Sequence, residues 1–325
     1  MAGVIVEDMP RSSRRPPQLR GRVFRGSRAV ARGLLTRNEL RSSAWRPLFR
    51  DVYADAQLPV THRTRCEAVA RWLVPPGAAI AGRSAAALYG CWRAGADDAV
   101  DVLVPRGVRV GSVAGLRVHR GPVDAGDVVD RVGTVVTSPE RTCWDVASWL
   151  DLVEAVVVID AMLSRRLTEV SALRGYALDR AGRRGWRAML RAVGLADAGA
   201  ESPQESRTRV RLVLAGLPRP RTQWVVSDRG RFVARVDLAW PDYRVAVEYD
   251  GLWHDEPAQF DSDRRRLNKL VGGDWIVLHL TARRLREDFD GFVAEVRAAL
   301  RARGHRARPA GPGRAPAMVR PSDVG

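Results

Sequence analysis

Carboxylates set inside two adjacent apolar strands restrict the folds open to this chain more than any other feature. The stretch is Arg235-Val-Asp-Leu-Ala-Trp-Pro-Asp-Tyr-Arg-Val-Ala-Val-Glu-Tyr-Asp-Gly-Leu-Trp-His254. Runs rich in β-branched and aromatic residues flank Pro241 and Asp242, a pattern that reads as strand, tight turn, strand. Asp237 interrupts the first run, and Glu248 and Asp250 interrupt the second. With Pro241 and Asp242 as a two-residue turn, Trp240 faces Tyr243 and Asp237 faces Ala246, diagonal to Glu248. Side chains alternate between faces, so Asp237, Glu248 and Asp250 then project from one side of the sheet. Diagonal neighbours lie about 7–8 Å apart, within reach of one shared cation. A three-residue loop would instead turn Glu248 to the opposite face.

Ionised carboxylates within half-buried strands repel one another and lose solvation unless positive charge meets them. A hard-cation site for Mg²⁺ or Mn²⁺ answers that cost. A solvent-facing sheet with its polar residues outward is the other arrangement. The metal site is favoured, with Asp237, Glu248 and Asp250 as its candidate ligands.

At 325 residues the chain is long enough for two or three domains, each with its own core. Its net charge of +17 is uneven: residues 1–32 carry +6 and residues 301–325 carry +5. Both ends are rich in Pro, Gly, Ser or Ala and read as flexible basic arms. Arginine-rich arms favour polyanions, so DNA is the expected partner and its binding should depend on salt. Lys269 is the only lysine, so part of the arginine content reflects codon bias. Cys66, Cys91 and Cys143 form no CxxC pair, which fits a reducing cytoplasm and argues against a disulfide framework or zinc site. No uncharged run approaches the length of a membrane span, and Val4–Val6 is too short for a signal peptide. No glycine-rich phosphate loop suggests a nucleotide cofactor.

Taken in order, Thr36 and Glu39 have the spacing of a capping box at a helix start. The segment Arg41-Ser-Ser-Ala-Trp-Arg-Pro-Leu-Phe-Arg50 reads as a second, basic helix, followed by a strand at Asp51-Val-Tyr-Ala. Helix, turn, basic helix, strand is the order of a winged helix, with Arg37, Arg41 and Arg46 available to DNA. Short strands are expected at Val100–Val104, Leu116–Arg120 and Gly133–Thr137. Ser138 and Pro139 then open a helix, in which Arg141 and Asp145 are spaced to pair. No catalytic constellation is evident in this middle region, and His119 reads as a structural or surface histidine. After a linker at Ala196–Glu201, Ser202-Pro-Gln-Glu205 opens another helix with Glu205 in capping-box position and a basic face of Arg207, Arg209 and Arg211. The acidic hairpin follows, then a helix bearing Asp263, Arg264 and Arg266, a strand at Trp275–Leu280, and a terminal helix from about 281 to 302.

Residues 202–288 resemble the bacterial family called domain of unknown function 559, related to very-short-patch-repair (Vsr) endonucleases in the PD-(D/E)xK superfamily. The matching pieces are Ser202-Pro-x-Glu205-Ser-Arg, Val236-Asp237-x-Ala-Trp-Pro, Val247-Glu248-x-Asp250-Gly-x-x-His254, Asp263-Arg264 and Asp274-Trp275-x-Val-Leu. The resemblance implies that Asp237 and Glu248 bind the metal and that Glu205 orients the attacking water. Asp250 stands where the superfamily pattern has a catalytic lysine. Vsr-like enzymes also lack that lysine and use a nearby histidine, so His254 is implied as the group that polarises water or protonates the leaving oxygen. Residues 25–160 more weakly resemble AbiEi-type antitoxins through Leu35-Thr-Arg-Asn-Glu-Leu, Arg50-Asp-Val-Tyr, Gly82-Arg-Ser-Ala-Ala-Ala-Leu-Tyr-Gly and Thr137-Ser-Pro-Glu-Arg-Thr-Cys-Trp-Asp. Such antitoxins bind DNA through a winged helix and repress transcription.

The expected architecture is therefore an α/β multidomain chain. A disordered basic arm (1–20) precedes a winged helix (21–60) and an AbiEi-like α+β middle domain (61–195). A restriction-endonuclease-like mixed sheet flanked by helices (200–302) and a disordered basic tail (303–325) follow. The expected function is metal-dependent hydrolysis of DNA phosphodiesters, in DNA repair or phage defence. Glu205, Asp237, Glu248, Asp250 and His254 form the expected site; Arg37, Arg41, Arg46, Arg207, Arg264 and Arg266 contact nucleic acid. The alternative is an antitoxin-like transcriptional regulator with an inactive nuclease fold, whose further partners would be a second copy of itself and a cognate toxin.

Overall fold

A computed structural model describes residues 14–228, 230–250 and 274–305. The chain is a mixed α/β protein that divides into two compact units, Met1–Ala198 and Gly199–Gly325. Among the described residues no helix is long and apolar enough to cross a membrane.

The first unit begins with a small sheet in the order β1-β3-β2, from Val23–Arg25 (β1), Trp45–Phe49 (β2) and Val52–Asp55 (β3), with Gly26–Ala31 (α1) between the first two. Leu19, Phe24, Ala29, Leu35, Leu40, Ala44 and Trp45 form its core, with the Phe24 and Trp45 rings edge to face at 5.1 Å. The Asp51 carboxylate accepts from the Ser27 amide at 2.6 Å and from Arg25 Nε at 2.9 Å, tying the β2–β3 turn to the first turn of α1. The Thr36–Glu39 capping box is present, with Glu39 N–H bonded to Thr36 Oγ1 at 3.2 Å and Thr36 N–H to Glu39 Oε2 at 2.6 Å. It opens only a single 3₁₀ turn, Glu39–Arg41. The basic helix expected over 41–50 is instead a turn followed by strand β2. Pro47 explains the correction. It cannot donate within a helix, and it is tolerated on an edge strand, where β2 carries a register shift between Pro47 and Phe49.

The rest of this unit is a five-stranded sheet ordered β6-β5-β4-β8-β7. Its strands are Ala79–Ile80 (β4), Val100–Pro105 (β5), Leu116–Gly121 (β6), Val128–Arg131 (β7) and Thr134–Thr137 (β8). It packs with helices His62–Trp72 (α2), Gly82–Leu88 (α3), Pro139–Trp149 (α4), Leu152–Ser164 (α5), Val170–Leu178 (α6) and Trp186–Leu195 (α7). The cap expected at α4 is formed, Ser138 Oγ accepting from the Arg141 amide at 3.3 Å, and Arg141 Nε meets Asp145 at 2.8 Å. His119 is structural: its ring stacks on Trp149 at 3.5 Å and its Nε2 lies 3.2 Å from buried Asp101.

In the second unit, Arg221–Asp228 (β9), Arg231–Trp240 (β10), Val245–Asp250 (β11) and Ile276–Thr281 (β12) form a sheet ordered β12-β11-β10-β9. The β9–β10 and β10–β11 pairs are antiparallel and β11–β12 is parallel, so the sheet is mixed as expected. Helix α8 (Pro203–Leu214) precedes it, with Ser202 Oγ accepting from the Glu205 amide at 3.2 Å. The single terminal helix expected over 281–302 is split into α9 (Ala282–Glu287) and α10 (Phe289–Ala302). Asp288 causes the break, because its side chain caps α10 by accepting from the Gly291 amide at 3.2 Å. Leu212, Leu238, Trp240, Val245, Val247, Leu280 and the apolar side of α10 close one core.

The β7–β8 hairpin turns through Val132 and Gly133, with φ of 54° and 76°. Two successive left-handed residues are the requirement of a type I′ turn, which suits Asn-Gly and penalises a β-branched residue. Val132 is fully exposed and gains nothing from packing in return. Replacing it with asparagine should raise stability by about 0.5–1 kcal/mol in chemical denaturation. An unchanged or lower midpoint would contradict the strained turn.

Candidate functional site

The hairpin that carries the acids is closed by the four residues Pro241–Arg244, neither two nor three. Pro241–Tyr243 forms a 3₁₀ turn, and Arg244 takes a left-handed conformation at φ 50°. Trp240 therefore faces Val245, Ala239 faces Ala246 and Leu238 faces Val247. The register has slid by two residues from a two-residue turn, which preserves the alternation of faces. The pairing ends at Leu238 and Val247; one step beyond it the register sets Asp237 toward Glu248 rather than Ala246, with Asp250 on the same face.

Carboxylates on one face of a strand pair disfavour it unless other groups meet their charge. Part of the cost is met by the backbone: the Tyr249 amide donates to Asp237 Oδ2 at 2.9 Å. Glu248 is buried and Asp237 half-buried. Asp250 Oδ1 lies 3.2 Å from Nδ1 of His279 on β12, and the parallel register sets His279 beside Glu248.

Glu205 reaches the same neighbourhood from the first turn of α8. Its Oε2 accepts from the Glu201 amide at 3.0 Å and from Gln223 Nε2 at 2.8 Å. Burial pushes its carboxyl above the ordinary 4.5, and the negative charge of Asp237 adds to the rise against the hydrogen bonds from Glu201, Ser202 and Gln223. Gln223 is itself unusual. It sits in β9 at φ 49°, between the Thr222–Leu238 and Trp224–Val236 pairs and so opposite Asp237. A non-glycine residue held there carries backbone strain, a feature that collects at functional sites.

Among the described residues no group of three or more His, Cys, Asp or Glu side chains forms a ready cage for a metal. The donors present suit Mg²⁺ or Mn²⁺ all the same. Such ions bind through one or two carboxylates and fill their remaining positions with water and substrate phosphate. Asp237 and Glu248 supply that pair.

The remaining expected residues fall as follows. Arg37, Arg41 and Arg46 are exposed on the first unit, in a loop turn, at the end of a 3₁₀ turn and on edge strand β2. Arg207 is half-buried on α8 and donates to Gln204 at 3.0 Å. The wider basic face expected on α8 is corrected. Arg209 is fully buried, while Arg211 lies 3.8 Å over the Phe289 ring and donates to the Leu285 carbonyl at 2.8 Å. His254, Asp263, Arg264, Arg266 and Lys269 lie outside the described residues. His279 and Gln223 are the additions that the strand pattern alone did not single out.

Over 215 residues, 66% of this chain and 78% of the relative, the sequence is 34% identical to "Uncharacterized protein Rv2248" of Mycobacterium tuberculosis (strain ATCC 25618 / H37Rv). The match to "Uncharacterized protein MT2308" of Mycobacterium tuberculosis (strain CDC 1551 / Oshkosh) has the same identity and coverage. The chain belongs to the family of these two mycobacterial proteins. No family model and no solved structure matches it.

Because the folded state raises the pKa of Glu205, folding favours its protonated form. That contribution is fully present below its ordinary 4.5 and is lost as pH rises through the elevated value. Replacing Asp237 with asparagine removes the neighbouring charge and should lower the Glu205 pKa without restoring it fully, since burial remains. Carbon-13 NMR titration of the glutamate carboxyl reads this directly; an unchanged value would show that the two groups do not share a site.

Proposed function

We propose that this chain is a metal-dependent endonuclease that hydrolyses phosphodiester bonds in DNA, built on a restriction-endonuclease-like sheet in the second unit. The observation that carries the reading is the electrostatic coupling of Glu205 on α8 to Asp237 on β10, at the end of the hairpin ladder that leads to Glu248 on β11. Three carboxylates gathered on one strand pair and one helix start make a poor structural element and a good cation site.

In this reading Asp237 and Glu248 hold Mg²⁺ or Mn²⁺. When bound, the ion polarises the scissile phosphate and makes water more acidic. Glu205 takes the proton of the attacking water; its raised pKa makes it a stronger base than an exposed glutamate. The bond from Gln223 fixes the Glu205 carboxylate in place. His279 supplies positive charge when protonated, on the face where Asp250 replaces the lysine of the superfamily pattern. The exposed Arg37, Arg41 and Arg46 of the first unit contact phosphates and position the DNA.

A second reading is favoured by the same Asp250. A carboxylate where catalysis needs a cation fits an antitoxin-like transcriptional regulator that has kept a nuclease fold for binding alone. A supercoiled-plasmid nicking assay with Mg²⁺ or Mn²⁺ separates the two. Under the nuclease reading the intact chain nicks the plasmid, and Asp237→Ala and Glu248→Ala each slow it by about 100-fold or more while leaving the melting curve cooperative. A wild-type chain that leaves plasmid intact in both metals, yet shifts DNA in a gel, would instead establish the regulator.

A further inference from the structure

The first unit contains a cavity of about 460 Å³ whose lining is dominated by arginine. Arg141 from α4 and Arg180, just past α6, form its inner wall beside the Trp144 ring, and Arg106, Arg183 and Arg184 lie at its rim. Its volume is in the range of small-molecule sites.

The charges around it do not balance. Asp127 is fully buried and its oxygens are saturated. It accepts from the Asp124 amide at 2.9 Å, Arg141 Nη1 at 2.5 Å, Tyr176 Oη at 2.7 Å and Arg180 Nη2 at 3.0 Å. Asp145 is taken by Arg141 Nε at 2.8 Å. Asp124 is shared by Arg183 at 2.5 Å and Arg180 at 3.5 Å. Three aspartates thus answer three arginines. Among the described residues no carboxylate pairs with Arg106 or Arg184, which leaves two positive charges in excess. Arg141 also makes all its protein bonds through Nε and Nη1, so its Nη2 has no protein partner among the described residues.

A purely structural ion network would end in neutrality at its exposed rim. Two further guanidiniums converging on an open concavity raise the energy of the empty site and lower that of an anion-filled one. Guanidinium forks bind phosphate through paired hydrogen bonds, and the excess of two charges matches a phosphate monoester dianion. The volume exceeds that of bare phosphate and leaves room for an organic group against the Trp144 indole.

We propose that this cavity binds a nucleotide-sized phosphate monoester, with Arg141 and Arg180 as its floor and Arg106 and Arg184 as the groups that balance its charge. Two sources offer this chemistry: a free nucleotide, and the phosphorylated end of a nucleic acid strand. The site lies in the first unit and does not depend on the nuclease reading of the second.

Isothermal titration calorimetry of the full chain in EDTA at fixed ionic strength tests it, with adenosine monophosphate, adenosine, and a trinucleotide with or without a 5′-phosphate. EDTA removes any cleavage, so failure here is separate from failure of the nicking assay. Adenosine monophosphate or the 5′-phosphorylated trinucleotide should bind, and adenosine should not. The Arg106→Ala/Arg184→Ala double variant, altered only at exposed positions, should bind roughly tenfold more weakly. Binding of the mononucleotide identifies the free nucleotide as ligand; binding of the phosphorylated trinucleotide alone identifies a strand end. The proposal is overturned if neither phosphorylated probe binds, if the unphosphorylated probes bind as tightly, or if the double variant binds like the wild type.

Discussion

The second unit depends on one hairpin register. Asp237 and Glu248 lie just past an antiparallel pair whose facing residues, Leu238 with Val247 and Ala239 with Ala246, are apolar and buried. The core formed by Leu238, Trp240, Val245, Val247 and Leu280 fixes that register, because a slip of one residue would send those side chains to the wrong face. Hydrophobic burial therefore sets where Asp237 and Glu248 stand on the other face. The Tyr249 amide meets part of the charge of Asp237.

The elements around this pair follow from it. Helix α8 begins at Ser202 and Pro203, which sets Glu205 in its first turn, where an acid also suits the helix dipole. Gln223 adopts a left-handed conformation within a strand and spends its side chain on Glu205, so local strain is exchanged for the position of one carboxylate. His279 arrives by parallel pairing of β12 with β11 and supplies the one titratable cation described beside Asp250. The first unit uses charge in the opposite sense: buried Asp127 and Asp145 are paired with arginines, and the surplus around the cavity is positive.

Features set by neighbours in sequence were legible from the sequence. The caps at Ser138 and Ser202 and the Arg141–Asp145 pair were each specified within one helical turn. The hairpin register was misplaced by two residues because Arg244 takes a left-handed conformation without being Gly or Asn, the usual signals. The faces survived that error because it was even. Strand β2 was mistaken for a helix because its arginines were weighed above Pro47, the residue that forbids one. Charge normally means exposure, so sequence alone does not show that Arg209 is buried or that Arg211 is half-buried; the latter depends on contact with distant Phe289. The arginine cavity assembles residues from 106 to 184, and no local pattern brings them together.

In the proposed reading Asp237 and Glu248 together hold a divalent cation, and the charge of Asp237 bears on Glu205 when the cation is absent. Thermal denaturation of the wild type and Asp237→Asn, each with EDTA and with Mn²⁺, addresses it most directly. Without metal, the asparagine variant should melt above the wild type, because the amide still accepts from Tyr249 and the charge that bears on buried Glu205 is gone. With Mn²⁺, the wild type should rise and the variant should not. A variant that melts lower without metal, or that gains as much from Mn²⁺ as the wild type, would contradict the account.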